Sequence, residues 1–232
     1  MGGGKSSFVR ALFENLEKMT NVKQLKKDVT VLYCYNLVPD EFHEIKNACS
    51  KSKKYIKTLD SNLGLPDFEK LTKEYSEKKS NTHLIIYMCD MQNYFIKNAK
   101  SENVQNFCSF LMNTRRADIT CILELHQFPQ NLPELSRRFF TFFLSNSTQI
   151  VLFKFLSNEK SLNLFVKKTL PDHFIEFKKC LNLSENLCAE NNTNEIRPYV
   201  LIQLDHRQNP PRKLRIAIFQ ENLVCFLNSK FT

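Results

Sequence analysis

The sequence predicts an α/β protein, a mostly parallel sheet with helices on both faces. Three observations carry that expectation. The runs Leu84–Cys89 and Ile119–Leu125 are short and apolar on both faces, the habit of strands buried inside parallel sheets. Stretches of helical length and periodicity separate the strand candidates. The chain also opens on three of its four glycines, directly before a helical pattern at Phe8, Leu12, Phe13 and Leu16.

Each element has its own warrant. That i, i+4, i+5, i+8 pattern predicts a helix over about 6–19. Val29, Val31, Tyr33 and Tyr35 alternate with Thr30, Leu32 and Cys34, a β-rich run that reads as a buried strand. Residues 40–50 look helical, and Tyr55–Leu59 is a short strand candidate. Pro66 and Asp67 suit the start of a helix over 67–77. The Leu84–Cys89 strand ends at Asp90, and a helix near 101–114 leads to Ile119–Leu125, which runs on into His126 and Gln127. A helix around 133–143 is expected next, then a fifth apolar strand at Gln149–Phe155, assigned to the same sheet. Helices follow near 158–168 and 171–182. The polar patch 183–196 predicts a surface loop. Tyr199–Leu204 and Leu214–Phe219 flank Pro210-Pro211 and predict an antiparallel strand pair. The organisation expected is a core over 1–182, the loop 183–196, and strands over 197–232 completing the same domain.

Composition narrows the functional classes. Hydrophobic residues make up 42% of 232 and charged residues 25%, enough to bury a core and too apolar for a disordered chain. A formal charge of +9 favours a polyanionic partner. The clusters Lys51, Lys53, Lys54, Lys57 and Arg207, Arg212, Lys213, Arg215 carry part of that charge, although a solvated face is the commoner account of such clusters. Eight cysteines show no C-x-x-C spacing, which points to reduced thiols in a cytoplasmic or nuclear protein. No run of 18 apolar residues occurs, so no membrane span is expected.

The opening carries the first chemical signal. Gly2, Gly3 and Gly4 followed by Lys5, Ser6 and Ser7 match the second half of a P-loop. Glycines let backbone N–H groups close around phosphate oxygens, and the helix N-terminus adds positive potential. Lys5 would reach the β/γ-phosphates, and the Ser6 hydroxyl would occupy one Mg²⁺ position. The first glycine of G-x-x-x-x-G-K-[ST] and its launching strand precede Met1 on this reading, so the sheet is expected without its first strand. A flexible leader is the alternative account of the same residues. In a parallel sheet, ligands bind beyond the carboxyl ends of the strands, which places Gly4–Ser6, Asp90 and His126-Gln127 on one rim.

The ordered set of segments GKSSFVRALFENL (4–16), VLYCYN (31–36), GLPDFEKL (64–71), the 84–91 strand end and the stretch from NTRRADIT (113–120) through IVLFK (150–154) to RPYVLIQLD (197–205) resembles the genome-packaging ATPases of adenovirus-like and Polinton-type DNA elements. These belong to the FtsK–HerA superfamily of P-loop ATPases. The resemblance implies a homo-oligomeric ring that uses ATP and Mg²⁺ to thread double-stranded DNA into a capsid, with capsid or portal proteins as partners and arginines acting across subunits. Arg115, Arg116, Arg137 and Arg138 are the candidates for the last role.

The chain departs from that pattern at the Walker B strand. The family ends this strand on two acidic residues, and the aligned positions are Met88 and Cys89, poor ligands for a hard ion. Asp90 follows, and a one-residue bulge would carry it to the metal. Glu124 on the next strand is a substitute base, and His126 or Gln127 a γ-phosphate contact. The expectation is a packaging-type ATPase with impaired hydrolysis. The alternatives are an inactive endogenised relative and a nucleotide-independent basic DNA-binding protein.

Overall fold

The computed structural model describes residues 5–16, 27–36, 41–76, 81–113, 119–126, 132–147, 149–153, 159–169, 171–190, 199–204, 212–220 and 223–228. In chain order the elements are α1 (Lys5–Glu14), β1 (Asp28–Tyr35), α2 (Glu41–Lys51), β2 (Ile56–Leu63), α3 (Phe68–Ser76), β3 (Thr82–Cys89), α4 (Gln92–Lys97), α5 (Glu102–Asn113), β4 (Ile119–Leu123), α6 (Glu134–Asn146), β5 (Gln149–Phe153), α7 (Glu159–Thr169), α8 (Phe174–Glu190), β6 (Tyr199–Leu204), β7 (Arg212–Gln220) and β8 (Leu223–Asn228). A 3₁₀ turn, Pro171–His173, precedes α8. The chain divides into two compact units, Val9–Asn146 and Met1–Phe8 with Ser147–Thr232.

The first unit is the predicted α/β layer structure. Its four strands run in the order β2-β1-β3-β4, every neighbouring pair parallel, an arrangement consistent with a P-loop NTPase-like fold. Alternation along each strand sends side chains to two different layers. Cys34 of β1 and Leu84, Ile86 and Met88 of β3 join a core with Phe68, Phe95, Phe107, Phe110, Phe139 and Phe140, contributed by α3, α4, α5 and α6. The opposite face presents Tyr33 and Tyr87, whose rings lie 5.4 Å apart. There Phe13 of α1 meets Tyr87 at 6.0 Å and Phe42 of α2 meets Tyr33 at 5.3 Å. β3 is therefore buried on both faces, as its apolar run predicts.

The outer strand β2 is longer than the predicted Tyr55–Leu59 and carries Lys57, Asp60, Ser61 and Asn62, with most of its positions exposed. Polar side chains suit a sheet edge, where they discourage pairing with another chain. Gly64 ends β2 at φ +77°, the left-handed region that favours glycine, and its N–H donates to the Tyr35 carbonyl at 2.8 Å.

The second unit corrects two expectations. β5 does not continue the parallel sheet: it pairs antiparallel with β6, within a separate sheet ordered β5-β6-β7-β8. A five-residue apolar run has no feature that distinguishes parallel from antiparallel neighbours, so its pairing was not readable locally. The predicted pair β6–β7 is antiparallel, and β8 extends it. The expected loop 183–196 is helical through Glu190, and 191–196 lie outside the described residues. Cys180, Leu181 and Ser184 give α8 a buried stripe beside Phe177, and Asn182 and Asn186 on its other side are exposed. Both expected boundaries, at 182/183 and 196/197, lie within this unit.

The phenylalanine layer sets the first unit's stability. Phe107 is fully buried and packs against Phe68 and Phe95 at 5.0 and 5.4 Å. Phe107→Ala is expected to cost about 3–5 kcal/mol in urea unfolding. Leu63→Ser, at a position 69% exposed, is expected to change stability by less than about 0.5 kcal/mol. Similar values for the two would contradict this layer assignment.

Candidate functional site

The polar groups of the first unit gather at the carboxyl ends of β1, β3 and β4, the edge where ligands bind in parallel sheets. Glu124 follows β4 directly. Its N–H continues the ladder to the Met88 carbonyl at 3.3 Å, and its side chain is buried, 6% exposed. The Tyr87 hydroxyl donates to Glu124 Oε1 at 2.8 Å. Burial, and then the Glu124 charge, hold the Tyr87 phenol well above its ordinary range, so it remains a donor.

Cys89 occupies the strand end where the packaging-ATPase pattern has an acid. Alternation settles the two aligned positions differently: Met88 enters the phenylalanine core, and Cys89 lies on the Tyr87 face. The Cys89 thiol donates to Glu41 Oε2 at 3.5 Å. Glu41 stands in the first turn of α2, which the Phe42–Tyr33 contact holds against the sheet. Burial pushes the thiol up to about 12, with Glu124 and Glu41 adding to the rise. Such a thiol is inert rather than nucleophilic. Beside it lies the fully buried Tyr33, whose phenol is raised first by burial, with Cys89 adding to the rise.

The pairing of β3 holds no bulge before Asp90: it runs with β1 and β4 to the strand end without a shift in register. Asp90 instead turns the chain at φ 49°, a left-handed conformation Asp tolerates better than most residues. Its carboxylate meets His126 Nε2 at 3.0 Å, with the two side chains 58% and 48% exposed. The His126 N–H donates to Gln92 Oε1 at 2.7 Å, and Gln92 is buried at the start of α4. The structure thus joins Asp90 with His126, and Glu124 with Tyr87.

The other sequence candidates are distributed elsewhere. Lys5, Ser6 and Ser7 form the first turn of α1 and fall in the second unit. Gly2, Gly3, Gly4, Gln127, Arg115 and Arg116 lie outside the described residues. Arg138 pairs with Glu134 at 2.6 Å on α6, and Arg137 is exposed. In the first lysine cluster, Lys51 pairs with Glu14, Lys57 caps the carbonyl of Lys54 and the Lys54 ammonium lies 5.5 Å from the Tyr55 ring centroid, so three of its four members are engaged in the fold. In the second, Arg207 is not described, while Arg212, Lys213 and Arg215 lie in β7.

Glu41, Tyr33, Tyr87 and Gln92 were not singled out from the sequence. The tyrosines carried a signal, as polar-tipped side chains near the carboxyl ends of otherwise apolar strands; Glu41 and Gln92 gave none. Among the described residues, no three His, Cys, Asp or Glu side chains gather closely enough to cage an ion, and no helix is long and apolar enough to cross a membrane.

No family model matches this chain, and no curated protein matches it.

The buried thiols set the alkaline limit of the fold. Cys34, Cys49, Cys89 and Cys121 are each raised from 9.0 to about 12, chiefly by burial. Above pH 9 the unfolded chain releases these protons while the folded chain retains them. Stability is therefore fully present below that pH and lost as pH rises, by about 1.4 kcal/mol per pH unit for each thiol. Urea midpoints are expected to be level from pH 6 to 8 and to fall steeply above about 9, with a shallower fall in Cys49→Ala.

Proposed function

We propose that this chain is a packaging-type P-loop ATPase relative that binds Mg·ATP and hydrolyses it slowly, in the service of double-stranded DNA translocation. The observation that carries the reading is the polar rim at the carboxyl ends of a parallel sheet, with Glu124 buried and fixed by the Tyr87 hydroxyl at 2.8 Å. That is the form expected of a carboxylate that orients an attacking water. Lys5 and Ser6, opening α1, fit the parts of phosphate clamp and metal-ligand hydroxyl.

Within this reading, Glu124 accepts the proton of the attacking water and Tyr87 keeps its carboxylate in place. Asp90 and His126 form a solvent-facing pair that can report the state of the γ-phosphate. Mg²⁺, when bound, would neutralise charge on the phosphate oxygens. Slow turnover follows from the strand end itself. Met88 and Cys89 supply no carboxylate, and losing one catalytic acid–base group typically costs about 10²–10⁴ in rate. The charge of +9 fits a polyanion as the translocated partner.

Calorimetric titration with Mg·ATP tests the reading. Micromolar binding is expected, weakened about 100-fold or more by Lys5→Ala, a loss of roughly 2.7 kcal/mol. Turnover is expected below about 1 s⁻¹ and abolished by Glu124→Gln. Binding no tighter than millimolar, together with a steep salt dependence of DNA affinity that nucleotide does not alter, would replace it with the nucleotide-independent DNA-binding reading.

A further inference from the structure

In the second unit, α8 packs on β6 and β7 through one side, where Phe177, Cys180, Leu181 and Ser184 are buried. The positions left exposed from Ile175 to Asn186 are Ile175, Lys178, Lys179, Asn182, Leu183 and Asn186, which helical spacing gathers on one outer face. The two acids of the same stretch, Glu176 and Glu185, are half-buried at its borders, and the Glu176 charge acts on the Cys180 thiol of the inner side. Over that stretch the outer face therefore offers ammonium and amide groups and no carboxylate.

The end of α7 adds to it. Lys167 and Lys168 are exposed in its last turn, where the helix dipole favours cations. The Phe174 ring links the two helices: its centroid lies 5.0 Å from the Lys167 ammonium and 5.2 Å from that of Lys178. Such contacts leave the ammonium N–H groups able to donate, and they restrain long side chains that a ligand would otherwise have to order. Among the described residues, Lys167, Lys168, Lys178 and Lys179 enter no ion pair, whereas Arg10, Lys51 and Arg138 are paired with glutamates.

We infer that the outer face of α8, with Lys167 and Lys168 at the end of α7, is the surface that holds the phosphate backbone of double-stranded DNA. The inference rests on the DNA part of the reading above and not on nucleotide binding. Lysine meets phosphate as a point charge. Asn182 and Asn186, one turn apart, are neutral donors of the kind that fix register on a duplex. The 17 residues of α8 extend about 25 Å, against one duplex charge per ~1.7 Å of axis, so the face runs past several phosphates. A protein partner matches it less well. The exposed apolar residues, Ile175 and Leu183, stand two turns apart with lysine and asparagine between them, whereas protein interfaces centre on an apolar core. The same spacing denies a bilayer the apolar stripe that an interfacial helix inserts.

Fluorescence anisotropy of a short labelled duplex, titrated with the full chain over a salt series, tests the inference. Lys168→Gln with Lys179→Gln removes two charges and leaves both Phe174 contacts in place. Duplex affinity is expected to fall about tenfold or more, and the slope of log affinity against log salt to become shallower by about 2. Lys46→Gln with Lys53→Gln removes the same charge from exposed positions of the first unit and is expected to change affinity less than about threefold. Asn182→Ala with Asn186→Ala is expected to weaken binding with the salt slope unchanged. All six positions are exposed, so melting temperatures are expected within about 2 °C of wild type; Lys179→Glu alone repeats the test should a double variant prove unstable. Equal losses in the two lysine pairs would reduce the effect to net charge and overturn the inference, with DNA binding intact. A wild-type chain that binds no duplex overturns the inference and the DNA reading together. Loss of binding to polyglutamate or to phosphatidylserine vesicles in the Lys168/Lys179 variant, with duplex affinity unaltered, overturns it in favour of an acidic protein or a membrane surface.

Discussion

Burial of β3 on both faces is the constraint on which the rest of the first unit depends. A strand covered on two sides has no solvent-facing row, so each residue must satisfy one apolar layer or the other. Met88 fills the phenylalanine layer, while Tyr87 and Cys89 face the side of α1 and α2. The chemistry available at the strand end follows from that division. Position 88 belongs to the core, and only position 89 and its neighbours on adjacent strands open toward the rim. A carboxylate at position 88 would need to be accommodated among aromatic rings, at a cost of several kcal/mol.

The two faces are built from different materials. One is a layer of phenylalanines, which need only shape complementarity. The other ends in hydroxyls, a thiol and carboxylates whose hydrogen bonds fix one another's orientation. Tyr33 and Tyr87 belong to both regimes: their rings pack as core, and their hydroxyls stand in the polar cluster. Truncating either ring would therefore disturb packing and electrostatics together, so tyrosine-to-phenylalanine changes are the cleaner probes of the cluster.

Much of the first unit was legible in the sequence because its strands state their burial in their alternation. β1, β3 and β4 have bounded apolar runs, and α1, α2, α3, α5 and α6 have helical periodicity. Asp90, Glu124 and His126 could be placed at strand ends for the same reason. Tertiary contacts were not legible. Glu41 reaches Cys89 across 48 residues, and nothing in its local sequence, a glutamate in the first turn of a helix, distinguishes it from an ordinary dipole-stabilising residue. The assignment of β5 to a second sheet was hidden in the same way, since strand pairing is decided by distant partners. The backbone at position 90 was not legible for a subtler reason. A bulge and a left-handed turn both re-aim a strand-end side chain, and only the backbone angles distinguish them.

The aromatic inventory gives the cluster its own optical signature. The chain has seven tyrosines and no tryptophan, so its near-ultraviolet emission comes from tyrosine alone. Tyr87 donates to a carboxylate, an arrangement that quenches phenol fluorescence, and the Tyr33 ring packs against it at 5.4 Å. A change at this rim that altered either hydroxyl's surroundings would be visible in an undyed protein. The state of the cluster is thereby open to the intrinsic emission of the chain, with no indole background to obscure it.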